Sequence, residues 1–304
     1  MNVASLGEKG LIRRLARGIR TDTVVIRGIG DDCAVLRWRK DYHLLFASDM
    51  LVEGVHFRRN SNPSAIGWKA LAVNVSDIAA MGGIPRHAVV SLGLPNRTPV
   101  SFVDGIYRGL TRCARRFGVN LVGGDTDRSA HCVIDVAILG EVEKNRVVYR
   151  SGARAGDHLL VTGRLGGSLR SGRHFSFIPR LREARAIGVR TRPHAMIDLS
   201  DGLGPDLIRL CEASGVSTVL DAAAIPRHRG CSVAQALNDG EDFELLLAVG
   251  GRDADRLLSW SRRHLACGLR RIGRVIRRRP GAPVRLWASQ RMKIPVSLTG
   301  FRHF

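Results

Sequence analysis

The chain reads as a mixed helix-and-strand protein divided into two domains. Strand-like apolar runs alternate with helical stretches along the whole sequence, and 304 residues fit two domains of ordinary size or one large one. The turn-forming cluster Tyr149-Arg150-Ser151-Gly152 also interrupts the chain near its middle, just ahead of a fresh apolar run. A hydrophobic content of 44% is that of a globular protein with a buried core.

Taken in order, residues 11–19 form a basic amphipathic opening. Residues 24–30 are a short strand-like segment that ends at Asp31 and Asp32, and residues 44–47 a strand that delivers Ser48 and Asp49 to its end. Asn62-Pro63-Ser64 starts a helix over 65–81, with Ser64 as its N-cap and Gly82-Gly83 as its stop. Asp77 then sits near the C-terminal end of that helix among apolar neighbours, a costly place for an unpaired carboxylate. Strands are expected over 89–94, 119–122 and 132–141, with a helix over 102–117 between the first two; the 119–122 strand ends in Gly123-Gly124-Asp125-Thr126. In the second half, 159–162, 195–199 and 243–249 read as strands, and 206–214 and 253–265 as helices. The glycine-rich stretch from 163 to 168 reads as a structural turn.

Composition narrows the function. No apolar run approaches the roughly 18–20 residues that span a bilayer, and residues 1–10 carry no signal-peptide stretch, so a cytoplasmic, soluble protein is expected. The six cysteines are scattered singly, without the Cys-x-x-Cys spacing of a zinc or redox site, and read as free thiols. A formal charge of +21 suggests a polyanionic partner. The bases are overwhelmingly Arg, however, and spread along the chain, and an aromatic content of 5% is low for a nucleic-acid-binding module. An arginine-biased, solvated surface is the reading adopted.

The acids are more telling. Many of the 27 Asp and Glu fall inside a few motifs: Gly30-Asp31-Asp32, Ser48 to Phe57 with Asp49, Asn74-Val75-Ser76-Asp77, Gly123-Gly124-Asp125-Thr126, Ile197-Asp198-Leu199-Ser200-Asp201-Gly202, and Gly240-Glu241-Asp242-Phe243-Glu244. Any one of these is ordinary turn vocabulary. Carboxylates converging on one pocket would repel one another unless cations lay between them, and Mg²⁺ is a natural answer because it prefers carboxylate and phosphate oxygens. No Gly-x-x-x-x-Gly-Lys-Ser/Thr loop and no protein-kinase motif set is present, so a nucleotide has to be held by other means.

In this order the motifs resemble the thiamine-monophosphate kinase family, of the superfamily that includes aminoimidazole ribonucleotide synthetase. The resemblance runs from Gly28 to Phe304. It implies an α+β, two-domain fold: residues 1–145 as an N-terminal ATP- and Mg-binding domain with a mixed/antiparallel sheet that forms a barrel in a dimer, and 146–304 as a C-terminal α/β domain. It implies ATP-dependent phosphorylation of thiamine monophosphate to thiamine diphosphate by a homodimer, with several Mg²⁺ ions and ATP as co-substrate. Metal ligands would fall on Asp31, Asp32, Ser48, Asp49, Asp77, Asp125, Asp198 and Asp201. ATP contacts would fall on Tyr107, Gly124, Asp125, Arg150 and Ser200, and substrate contacts on His56, Glu241, Asp242 and Phe301. An acceptor phosphate is already largely dianionic at neutral pH, so no general base is expected. Rival readings are another ATP-using superfamily member, such as a selenophosphate synthetase or a hydrogenase-maturation protein, or a basic nucleic-acid-binding homologue without catalysis. The first two lack here the reactive Cys, near the N-terminus or at the C-terminus, that they would need.

Overall fold

The computed structural model describes residues 3–288 and 292–294. Phe301, expected at the substrate, lies outside the described residues. The first half contains α1 (Val3–Ala16, kinked at Gly7), β1 (Val25–Arg27), β2 (Ala34–Arg39), β3 (Tyr42–Val52), α2 (Pro63–Ala80), β4 (Ile84–Leu94), α3 (Val100–Phe117), β5 (Asn120–Arg128) and β6 (Val133–Glu143). The second contains β7 (His158–Thr162), α4 (Ser168–Ser171), α5 (Leu181–Arg190), β8 (Ala195–Asp198), α6 (Leu203–Ser214), β9 (Val216–Asp221), α7 (Val233–Asn238), β10 (Leu245–Val249), α8 (Gly251–His264), β11 (Leu269–Arg277), β12 (Val284–Ala288) and β13 (Met292–Ile294).

The strands form two sheets, ordered β1-β2-β3-β6-β4-β5 and β13-β12-β9-β11-β7-β10-β8. Each is mostly antiparallel with one parallel pair, β4 with β5 and β12 with β9. The expected mixed α+β fold is therefore present, and the second sheet is closer to the first in character than a parallel α/β sheet.

Helix α2 links the two halves. Its run of Ala, Val, Leu and Ile is buried almost all round, as a helix needs to be when both faces meet protein. It packs on α3 and β3 on one side and on α5 and β8 of the second half on the other. The α2–α3 crossing is too close for side chains: a Cβ on Gly67 would lie 1.9 Å from the Ile106 carbonyl oxygen, and one on Gly109 would lie 2.0 Å from that of Ser64. The helix is capped by Asn62, whose side chain accepts from the amides of Ser64 and Ala65, with Pro63 as its first residue. Ser64 is thus inside the helix and not its cap.

Two strands run further than their sequence signals. β3 continues through Ser48 and Asp49 to Val52 because every residue from Tyr42 onward pairs with β6. β5 continues through Gly123 to Arg128 because β4 pairs with it in parallel along the whole stretch. Cross-strand pairing overrode the local turn signal of two glycines.

Candidate active site

A cleft of about 300 Å³ opens between the two halves, lined by Asp32, Ser48, Asp49, His56, Asp77 and Arg150 of one side and Asp198, Ser200, Asp201 and Glu241 of the other. Glu8 and Ile12 of α1 also line it. Strand departure creates the opening. β2 pairs with β3 only as far as Ala34, opposite Phe46, which leaves the edge of β3 uncovered at Ser48, Asp49 and Met50. The turn before β2 brings Asp31 and Asp32 to this place.

Strand alternation then separates Ser48 from Asp49. Asp49 faces the helix-covered side, toward Asp77, and the two carboxylates repel each other. Ser48 faces the other side, where its Oγ donates to Asp135 Oδ1 at 3.0 Å. On α2, Lys69, Val73, Ser76 and Asp77 fall at i, i+4, i+7 and i+8 and share one face. From the second half, Asp198 ends β8, and its Oδ2 accepts from Ser76 Oγ at 2.6 Å, a hydrogen bond that joins the halves across the cleft floor.

The centre of the site is a carboxylate cluster. One oxygen each of Asp32, Asp77 and Asp198 lie within 4.8 Å of one another. Burial raises the carboxyl pKa of Asp49, Asp77 and Asp198, and nearby carboxylates raise them further; Asp77 and Asp198 are pushed well above the usual carboxylate range. Asp31, next to the cluster, is raised to about 6 by burial and by Asp32. Asp32 Oδ2 is buried and has no hydrogen-bond partner. Hard oxygen donors, mutual repulsion and an orphaned buried oxygen together form the donor set that a divalent cation such as Mg²⁺ satisfies. The residues present therefore fit the metal.

Cations stand at the rim. Arg150 Nη2 and Nε both donate to Asp32 Oδ1, at 2.6 and 3.1 Å, and its backbone amide donates to Asp31 Oδ1. Arg209 pairs with Asp201, and with Asp206 at 2.5 Å. Asp206 in turn accepts from the amides of Asp201 and Gly202, which pins the turn at the start of α6. Asp49, Asp77 and Asp198 carry no arginine partner among the described ion pairs.

Glu241 is held by a residue that the sequence motifs did not single out. Lys69, fully buried in α2, donates to Glu241 Oε2 at 2.5 Å and to the His56 carbonyl oxygen at 3.1 Å. Burial lowers its pKa and Glu241 opposes that. Both Glu241 (φ 56°) and Phe243 (φ 50°) adopt left-handed backbone, at a cost of about 1–3 kcal/mol each. Neighbouring contacts hold the turn. Glu241 N and Phe243 N donate to the carbonyls of Ser200 and Leu199, Ser168 Oγ donates to the Glu241 carbonyl, and Phe177 stacks on Phe243 at 4.1 Å between centroids. The 163–177 stretch thus clasps the Glu241 turn, with Gly166 N donating to Asp242 and Gly167 N to Asp239. A signal for Lys69 was available: it is one of only five lysines among 48 basic residues, set in an otherwise apolar helical run. Ser76, Arg209 and Asp135 had no such mark.

Some expected residues stand apart. Asp242 does not line the cleft; its Oδ2 accepts from Gly166 N and Arg173 is nearby. Asp125 shares a cross-strand row with Ser91 and Asp135 on the outer face of the first sheet. With β6 and β4 between β3 and β5, it is roughly 14 Å from the β3 row at the usual strand spacing. Gly124 is on the same edge strand, and Tyr107 lies on the exposed side of α3, in a separate surface groove. His56 Nδ1 accepts from Val52 N at 3.0 Å, which sets its ring orientation at the cleft mouth.

Fold and cleft define a class: residues 30–142 match the family described as AIR synthase related protein, N-terminal domain. Proteins of known name narrow this further. The thiamine-monophosphate kinase of Synechococcus elongatus (strain ATCC 33912 / PCC 7942 / FACHB-805) is 34% identical, with 100% of this chain and 98% of that protein covered, and the one from Bacillus subtilis (strain 168) is 35% identical over 74% of this chain and 78% of its own. The chain belongs to the thiamine-monophosphate kinase family. A solved structure described as AaThiL complexed with AMPPCP and TMP superposes with a TM-score of 0.86 at 32% identity, covering 100% of this chain and 99% of that one. The hydrogenase maturation protein HypE of E. coli shares the fold, with a TM-score of 0.71 at 21% identity over 95% of this chain and 97% of that one.

Proposed function

We propose that the protein transfers the γ-phosphoryl group of ATP to thiamine monophosphate, in a Mg²⁺-dependent reaction that yields thiamine diphosphate and ADP. The observation that carries this reading is the meeting of Asp32 from the turn before β2, Asp77 from α2 and Asp198 from β8, in a chain related over its full length to kinases of that name. Asp32, Asp49, Asp77 and Asp198 would hold the metal, with Asp31 and Asp201 beside them. When bound, Mg²⁺ neutralises phosphate charge and so relieves the repulsion between donor and acceptor.

The chain's own residues do the rest by placement. Arg150, at the rim, has a planar guanidinium suited to phosphate oxygens, and its bond to Asp32 keeps it aimed into the cleft. Ser200 lines the cleft beside it as an ATP contact. Glu241 and His56 face the same space and are tied to a common anchor in Lys69, which fits a pair of groups that meet the thiamine moiety together. No side chain needs to remove a proton, because the acceptor phosphate is largely ionised at neutral pH.

The outer face of the first sheet exposes Phe46, Met50, Val89 and Val122, and the remote candidates Gly124 and Asp125 lie on its β5 edge. A homodimer formed through this face would cover the apolar side chains and carry Asp125, Gly124 and Tyr107 toward a site shared between subunits. The domains would divide as 1–145 and 146–304, with the cleft between them. No helix among the described residues is long and apolar enough to cross a membrane, and the six cysteines are free thiols. Both agree with a cytoplasmic enzyme. Incubation with ATP, Mg²⁺ and thiamine monophosphate tests the reading: thiamine diphosphate and ADP should appear in equal amounts, and ADP without thiamine diphosphate would reject it.

A further inference from the structure

Away from the cleft, the second half carries a larger concavity of about 910 Å³ between the 163–164 and 223–227 loops, α8 and the start of β11. Five arginines line it: Arg164, Arg227, Arg262, Arg270 and Arg271. Asp255 is the one acid in its lining, and it is already paired with Arg271.

Exposed arginines without a carboxylate are common on this surface, and the groove differs in gathering five guanidinium groups around one concavity with a single acid. Several part-buried arginines outside the groove pair with carboxylates: Arg150 with Asp32, Arg180 with Glu244, Arg185 with Glu143 and Arg209 with Asp201. Arg164, Arg227, Arg262 and Arg270 have none among the described ion pairs. Arg271 Nε is buried with no hydrogen-bond partner. Small residues, Gly163, Ala223, Ala224 and Ala266, line the groove between the guanidinium groups and leave room for a ligand. Like charges facing one concavity repel each other, and an oxyanion between them relieves the repulsion while accepting paired hydrogen bonds.

We infer that this groove is a second anion site that takes a short condensed-phosphate chain. The lining contains no aromatic side chain on which a base could stack, so the recognised part is phosphate and not nucleobase. The concave shape admits a thin, flexible chain and disfavours the convex surface of a nucleic-acid duplex. Two sources share this chemistry, free polyphosphate and the oligophosphate tail of a nucleotide.

The test uses the full-length protein without Mg²⁺ at fixed ionic strength, with tripolyphosphate titrated by calorimetry. Two double variants carry the same change in charge: R262E/R270E in the groove, and R277E/R278E at the opposite end of β11, where both arginines are exposed. The expected result is a saturable site in the parent protein whose affinity falls at least tenfold in R262E/R270E and less than twofold in R277E/R278E. Unchanged melting temperature and unchanged thiamine diphosphate formation should show that the groove variant is folded and that its cleft is intact. A parallel titration with ATP distinguishes the sources: loss of one ATP equivalent in R262E/R270E assigns a nucleotide tail, and no change assigns the free chain. Equal weakening in both variants would reduce the effect to the general field of a +21 protein and overturn the site. Loss of duplex DNA binding in R262E/R270E with tripolyphosphate binding retained would overturn it as well.

Discussion

The inter-sheet cleft and the arginine groove of the second half treat charge in opposite ways. In the cleft, carboxylates from both halves crowd against one another, and three of them, Asp49, Asp77 and Asp198, have no arginine partner among the described ion pairs. In the groove, guanidinium groups from one half stand around a concavity with a single carboxylate, Asp255. Both collections are frustrated without a ligand of opposite sign, but the cleft is buried and the groove is open to water. Burial sets the difference in consequence. Charge repulsion under low-dielectric conditions is worth several times what it is worth in solvent, so changes in the cleft should move activity and stability strongly and changes in the groove weakly.

The largest effect is expected at the cluster itself. Asp77→Asn and Asp198→Asn should each lower thiamine diphosphate formation by ~10²–10³-fold or more, the scale of removing a preorganised electrostatic contact. Their melting temperatures should hold or rise, because each change removes a buried repulsion. Mg²⁺ should raise the melting temperature of the parent protein and leave that of Asp77→Asn unmoved, a readout independent of turnover. Near-normal turnover in either variant would break the contrast between the two regions.

Next comes the buried pair that anchors Glu241. Lys69→Met breaks the buried Lys69–Glu241 ion pair and should cost about 3–5 kcal/mol in denaturant unfolding. Lys69→Met combined with Glu241→Gln should recover most of that loss. In the double variant, KM for thiamine monophosphate should rise more than KM for ATP, since His56 and Glu241 share the anchor. The reverse ratio would place these residues on the nucleotide side.

A smaller and pH-dependent effect is expected where the halves join outside the cleft. Glu143, at the end of β6, takes two hydrogen bonds from Arg185 of α5, which lower its pKa from 4.5 to about 2. A folded-state value below the unfolded one stabilises the protein above about pH 4.5, and the contribution disappears as pH falls toward 2. Glu143→Gln should therefore lose about 1–2 kcal/mol at pH 7 and show a shallower acid transition between those limits. Parallel acid unfolding curves for the two proteins would remove the pair from the account. Smallest of all, R262E/R270E should change unfolding free energy by about 0.5 kcal/mol or less, as expected for exposed charges.

Much of the fold was legible in the chain because local chemistry dictated it. The apolar run of α2, its Asn62-Pro63 start and the Gly82-Gly83 stop read as a helix from composition alone. Short strands such as β7 and β10, buried throughout, were visible as compact apolar runs. Less visible were strands made by pairing. β5 continues through Gly123-Gly124 because β4 holds it, and β9, β11 and β12 carry too many polar or arginine residues to stand out.

The site divides along the same line. By itself the sequence determined which carboxylates exist and in which motifs, since Asp31, Asp49, Asp77, Asp198 and Glu241 are marked by their Gly and Ser neighbours. Only the tertiary structure decided which of them meet. It placed Asp32, Asp77 and Asp198 together, sent Asp125 to the outer face of a sheet, turned Asp242 toward Gly166, and recruited Lys69, Ser76 and Arg209 as partners. The physical reason is that side-chain identity is local, whereas the distance between residues more than 100 positions apart is set by how two sheets pack around one helix.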